Sequence, residues 1–154
     1  MTRTAILVIR IFLGLLFLAA GVPKIGATLQ TLATIYSYQI VLPDWLALVI
    51  AHLLPWVEIA IGIALLFGLF MPATLVATAS VLVVFTTLTA QAWWRELDID
   101  CGCVDFSALH PALAALSTPG GATLRNIVLL ALTGLVAFLL RRRNDSSHRK
   151  DLDV

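Results

Sequence analysis

The chain has 154 residues, of which 60% are apolar and 12% charged; its net charge is +1 and its mean hydropathy +0.99. Soluble domains carry about 25% charged and about 45–50% apolar residues, so this composition excludes an ordinary soluble enzyme and points to lipid as the solvent. So small a net charge argues for no nucleic-acid partner, and the chain has no nucleotide-binding loop, hydrolase triad or metal motif.

In chain order, Ala5 to Gly21 is apolar except for Arg10 and ends in Gly21-Val22-Pro23 before Lys24, which predicts a first span over about 5–22. A cleaved signal peptide is the alternative, given Arg3 ahead of it and Ala19-Ala20-Gly21 at its end. Arg10 inside the apolar run and the three later spans weigh against that. Thr28 to Pro43, with Tyr36, Tyr38 and Gln39 among aliphatic residues, is too polar to span and reads as a short amphipathic surface helix. A second span over 45–69 holds His52, Pro55, Trp56 and Glu58, and is expected to tilt or kink near Pro55. His52 shares a face with Trp56 rather than Glu58, and reads as an interface histidine before a proton carrier.

Phe70-Met71-Pro72 is a tight turn, and the third span, 73–93, carries no ionisable side chain before Trp93-Trp94 forms an aromatic belt. A loop runs from Arg95 to Gly121, closing in Ser117-Thr118-Pro119-Gly120-Gly121, a run read as unable to continue a helix. The fourth span, 123–140, has Arg125 and Asn126 in its first turn and ends at Arg141-Arg142-Arg143; the basic tail over 141–154 is expected to be disordered. The expected architecture is an all-α integral membrane protein, a four-transmembrane-helix bundle with an extracytoplasmic Cys-Gly-Cys loop between the third and fourth spans.

Orientation follows from basic residues near the span ends. Arg3, Arg141, Arg142, Arg143, Arg149 and Lys150 share one side, against Lys24, Arg95 and Arg125 on the other, so both termini are expected in the cytoplasm of a bacterial inner membrane. That puts the loop where disulfides form and persist.

The loop holds the chain's two cysteines, and four of its nine acidic residues (Glu96, Asp98, Asp100 and Asp105) lie in or just before Ile99–Ala108. Cys101-Gly102-Cys103 sets two sulfurs close enough to close a small ring, with glycine allowing the backbone to bend. Such a ring is strained and easily reduced, as labile, regulatory and catalytic pairs are. A structural clip, a soft-metal site and two idle thiols are the other readings. Two thiolates with only His110 nearby are a poor donor set for a metal.

Charges inside spans are costly, so Arg10, Lys24 and Glu58 are expected to face the bundle interior, pair, or reach water. Lys24 and Glu58 approach the same outer half and are expected to pair; the alternative is a snorkelling Lys24 and a protonated Glu58. Arg125, at the N-terminus of the fourth span, favours an anion nearby and would lower the pKa of a thiol packed against it, while Asp98, Asp100 and Asp105 act against this. Headgroup anchoring is the other reading of Arg125.

Arg10-Ile-Phe-Leu-Gly14, Ala20-Gly21-Val22-Pro23-Lys24, Leu54-Pro55-Trp56-Val57-Glu58 with Gly62 and Gly68, Asp100-Cys101-Gly102-Cys103, and Arg125-Asn126 together resemble the MauE/DoxX family of bacterial redox-associated membrane proteins. The resemblance covers about residues 5–140; after the cysteines the family usually continues Phe-Gly, where this chain has Val104-Asp105. It implies a four-helix inner-membrane protein associated with thiol-disulfide chemistry. The MauE branch is linked to maturing the disulfide-rich small subunit of methylamine dehydrogenase.

Two function classes follow. In one, Cys101 and Cys103 are catalytic, with Lys24, Glu58, Arg125 and Asp100 in support, and exchange electrons or disulfides with an extracytoplasmic thioredoxin-fold partner or disulfide-bearing client. In the other, the protein is a membrane scaffold or assembly factor and the disulfide is structural. One cysteine pair on one face cannot carry electrons across the bilayer. They must leave through a partner or through a quinone contacting the pair; no other cofactor is evident.

Overall fold

The computed structural model describes residues 2–97 and 118–152, with side chains placed over 4–97 and 118–142. Its helices are α1 (Thr2–Gly21), α2 (Thr28–Ser37), α3 (Asp44–Phe67), α4 (Met71–Trp94) and α5 (Pro119–Leu152), with a 3-10 turn at Val22–Lys24. Four of them contain stretches long and apolar enough to cross a membrane: Thr4–Lys24, Asp44–Phe67, Met71–Trp94 and Pro119–Arg142. Many outward side chains on them are large and apolar, Val8, Phe12, Val76, Val84 and Leu124 among them, an arrangement that lipid tolerates and water does not. The chain is a multi-pass membrane protein.

The four long helices form a closed ring of neighbours in the order α1, α3, α4, α5. Within the ring α1 packs densely on α3 and α4 densely on α5, while the two seams, α1 against α5 and α3 against α4, are thinner. Leu13, Phe17, Ile61, Leu65, Leu82, Leu129 and Val136 fill the centre. The α1–α3 approach rests on glycine. A Cβ on Gly14 would stand 3.0 Å from the Gly62 carbonyl oxygen, and one on Gly62 would stand 3.0 Å from that of Gly14. Without a hydrophobic drive between helices in lipid, such small-residue contacts let backbones gain packing contact directly.

Threonines supply polar complementarity between α4 and α5. The Thr123 hydroxyl donates to the Thr89 hydroxyl oxygen (3.0 Å), which in turn donates to the Phe85 carbonyl (2.9 Å). In the same way Thr78 and Thr133 donate to carbonyls four residues back, so these buried hydroxyls leave no donor unpaired in the hydrocarbon.

The turn between α3 and α4 is set by Gly68, in the left-handed region at φ 72°; the Gly68 and Leu69 amides both bond to the Ala64 carbonyl. Pro72 then sits in the first turn of α4, where its missing N–H costs nothing. α3 runs unbroken through Pro55, and α2 lies against α3, the short helix expected over 28–43 being confined to Thr28–Ser37.

Two expectations about α5 need correction. The run Thr118-Pro119-Gly120-Gly121 starts the helix instead of blocking it: Pro119 is the first helical residue, the Thr118 hydroxyl accepts from the Gly121 amide (3.3 Å), and its carbonyl accepts from Ala122 (2.8 Å). At its other end the helix does not stop at Leu140 but runs to Leu152. No glycine or proline follows Leu140, and Arg141/Asp145 and Asp145/Arg149 are opposite charges at helical i, i+4 spacing. The Arg142 guanidinium stands 4.9 Å from the Phe138 ring centroid, one turn back.

Candidate functional site

The site begins where α1 ends. Pro23 turns the chain through one 3-10 turn, and Gly21 lets it pass close to α3: a Cβ there would stand 3.0 Å from the Glu58 Cβ and 3.0 Å from the Pro55 carbonyl. Lys24, at the end of that turn, reaches back, and its Nζ donates to both carboxylate oxygens of Glu58, at 2.8 and 2.9 Å. The Glu58 side chain is 1% exposed and that of Lys24 12%. The Lys24 Nζ also stands 5.7 Å from the Phe85 ring centroid, so the cation is held between a carboxylate on α3 and an aromatic face on α4. The pairing expected from the cost of either charge in lipid is found.

Beside the pair lies a cavity of about 40 Å³. Leu16, Phe17, Ala20 and Glu58 line it from α1 and α3, and Leu82, Phe85, Arg125, Asn126 and Leu129 from α4 and α5. Arg125 therefore contributes to an interior wall, not only to the surface end of its helix. Asn126, 3% exposed, presents an Nδ2 with no hydrogen-bond partner among the described residues.

Arg10 has a different task. Its Nε donates to the Leu65 carbonyl (3.0 Å) and its Nη2 to that of Leu66 (3.2 Å), so it caps the C-terminal end of α3, where the helix dipole favours a cation. Gly68 lies directly under the guanidinium, which a Cβ there would strike.

His52 is exposed on α3 and borders a shallow groove with Thr28, Leu48, Val49 and Leu53, away from the Glu58 cavity. Cys101, Cys103 and Asp100, with the rest of 98–117, lie outside the described residues. The described chain leaves α4 at Leu97 and resumes at Thr118, the residue before α5. Among the described residues, no three side chains of metal-ligating type cluster. Sequence reasoning missed Phe85 and gave Asn126 no role. Neither residue type signals a site by itself, and only the crossing of α1 and α3 against α4 and α5 brings them to Glu58.

No solved structure matches the chain. It is 35% identical over 130 residues to a methylamine utilization protein MauE of Paracoccus denitrificans, covering 84% of this chain and 66% of that one. It is 34% identical over 95 residues to a protein of the same description from Methylophilus methylotrophus, covering 61% of this chain and 50% of that one. The matched regions thus span about two thirds and half of these relatives' lengths. Residues 2–140 match the family described as methylamine utilisation protein MauE, and with so much of the bundle inside that match the chain belongs to the MauE family.

Proposed function

We propose that this MauE-family protein is a membrane-embedded thiol-disulfide redox component that exchanges electrons or disulfides with an extracytoplasmic thioredoxin-like partner or client. The observation that carries the reading is the Cys101-Gly102-Cys103 triplet, which holds both cysteines of the chain in the connection between α4 and α5. A thiolate of the reduced pair attacks the partner's disulfide, giving a mixed disulfide and releasing one partner thiolate. The second cysteine then attacks the mixed disulfide, closing the Cys101–Cys103 bond and releasing the other. Two electrons pass to the partner, and the two protons lost by the pair end on the partner's thiols; the reverse direction uses the same steps. With a quinone as acceptor, the same two electrons and two protons would give the quinol.

The distribution of lysine and arginine supports an orientation with both termini in the cytoplasm and the α4–α5 connection on the opposite face. Arg125 and the N-terminus of α5 supply positive potential at the point where the connection rejoins the bundle, which would favour a thiolate there.

A second reading, compatible with the family's description as a methylamine utilisation protein, is an assembly factor, for instance in maturing a disulfide-rich dehydrogenase subunit, with a Cys101–Cys103 bond that is only structural. Alkylation of free thiols in intact cells, before and after brief reductant treatment, separates the two. Exchange predicts a mixed population of reduced and oxidised pairs that shifts with the redox state of the cell envelope. A pair that stays oxidised throughout favours the structural bond.

A further inference from the structure

The bundle is built as two halves, each held more firmly within itself than to the other. Three contacts of different kinds bind α1 to α3: the mutual approach of Gly14 and Gly62, the Arg10 guanidinium on the Leu65 and Leu66 carbonyls, and the Lys24–Glu58 ion pair. Between α4 and α5, Thr123 donates to Thr89 (3.0 Å), and Gly120 seats the Trp93 indole so closely that a Cβ there would stand 3.3 Å from its Nε1. The seams between the halves are thinner, and the cavity of about 40 Å³ lies where they meet, walled almost wholly by apolar surface. An apolar cavity stays dry, and the atoms around it forgo the dispersion contacts that close packing would give.

The chain crosses from one half to the other once, between α3 and α4. That turn holds two residues in the left-handed region, Gly68 at φ 72° and Phe70 at φ 42°. Between them, the Leu69 amide bonds to the Ala64 carbonyl of α3, while the Leu69 carbonyl accepts from the Thr74 hydroxyl of α4 (2.7 Å). Each helix thus holds one side of Leu69, and the torsions that can change without breaking either helix lie within 68–70. Hinges of rigid-body motions are such short, element-terminal segments. At the opposite end of α4, the Arg95 Nη2 donates to Gln39 Oε1 (2.9 Å), an exposed bond that ties the end of α4 to the α2–α3 connection. Water competes for an exposed bond of this kind, so it breaks far more readily than the buried contacts inside each half.

We propose that the α1–α3 and α4–α5 halves rock as rigid bodies about the 68–70 turn, with the Arg95–Gln39 bond as the latch that holds the far end closed. Opening separates the α2–α3 connection from the end of α4, from which the chain continues to Cys101 and Cys103, and widens the apolar cavity between the halves. The ends of α3 and α4 at the turn keep their spacing.

The inference does not depend on the cysteines reacting, and its test reads distance alone. Spin labels are placed on keto-bearing unnatural residues, which leave both cysteines untouched, in the full chain in lipid nanodiscs. One pair replaces the exposed Trp45 and Trp94 at the latch end, the other the exposed Phe67 and Val76 at the turn end. Pulsed electron spin resonance should give two distances for the first pair and a single narrow one for the second. Arg95→Ala should raise the ratio of long to short distance by roughly two- to tenfold, the factor that one net hydrogen bond supplies. Gln39→Glu, which turns the latch into a charge-assisted bond, should lower that ratio. A single narrow distance for both pairs overturns the proposal, and so does a ratio that neither variant moves. If Arg95→Ala does not fold, the unaltered protein and Gln39→Glu decide the matter.

Discussion

Lys24 and Glu58 form a buried ion pair in which each charge is the other's partner. Either charge left alone in the bundle keeps its desolvation cost and loses its partner, so Lys24→Met or Glu58→Gln alone should lower stability by about 3–5 kcal/mol, while the double variant loses clearly less than the sum. Denaturant or thermal unfolding in detergent of all four proteins completes the cycle, and additive losses would mean that the pair is not coupled. This pairing was legible in the sequence because lipid leaves an isolated charge few solutions. The partners of Arg10 were not, since they are carbonyls at the end of α3 whose availability depends on the left-handed Gly68. A residue outside the spans carries a pH prediction. The Tyr36 phenol donates to Asp44 Oδ1 at 2.9 Å, and that bond, followed by desolvation and the nearby carboxylate charge, raises its pKa above 10.0. The contribution is present below the ordinary tyrosine pKa and is lost as pH rises through the raised one. In a Tyr38→Phe background, ultraviolet titration should show the Tyr36 transition move down toward its ordinary value in Asp44→Ala.

At the scale of the elements, the glycines divide sharply. A Cβ on Gly62 would stand 2.8 Å from Leu18 Cγ and 3.0 Å from the Gly14 carbonyl, whereas one on Gly134 meets nothing within 4 Å. Gly62→Ala should therefore destabilise the bundle by about 1–3 kcal/mol through overpacking against a backbone that cannot yield. Gly134→Ala should be neutral or stabilising by up to about 1 kcal/mol, since only helix propensity changes. Thermal unfolding of the two variants side by side checks both signs. The four spans were legible because each needs about 20 apolar residues, a pattern no short-range detail can hide. The ends of α5 were not. Pro-Gly-Gly reads as a breaker until the threonine before it is seen as a cap, and the polar residues after Leu140 read as a tail until their charges are placed on helical turns.

For the molecule as a whole, the orientation argued from basic residues predicts that an alkaline phosphatase fused after Val154 is inactive and a fluorescent protein that folds only in the cytoplasm is bright. The opposite pair of results would put the cysteines on the reducing side and remove the compartment in which their disulfide persists. The central claim, exchange at Cys101 and Cys103, is tested most directly by replacing each cysteine with serine in turn. If the pair exchanges with a thioredoxin-fold partner, the remaining thiol has no neighbour to release the mixed disulfide. A covalent adduct should then accumulate in Cys101→Ser or Cys103→Ser, visible on non-reducing gels and dissolved by reductant. The account predicts that adduct with at least one of the two variants and none with both cysteines replaced; if neither single variant traps a partner and both retain the function lost on deletion, the pair does not exchange.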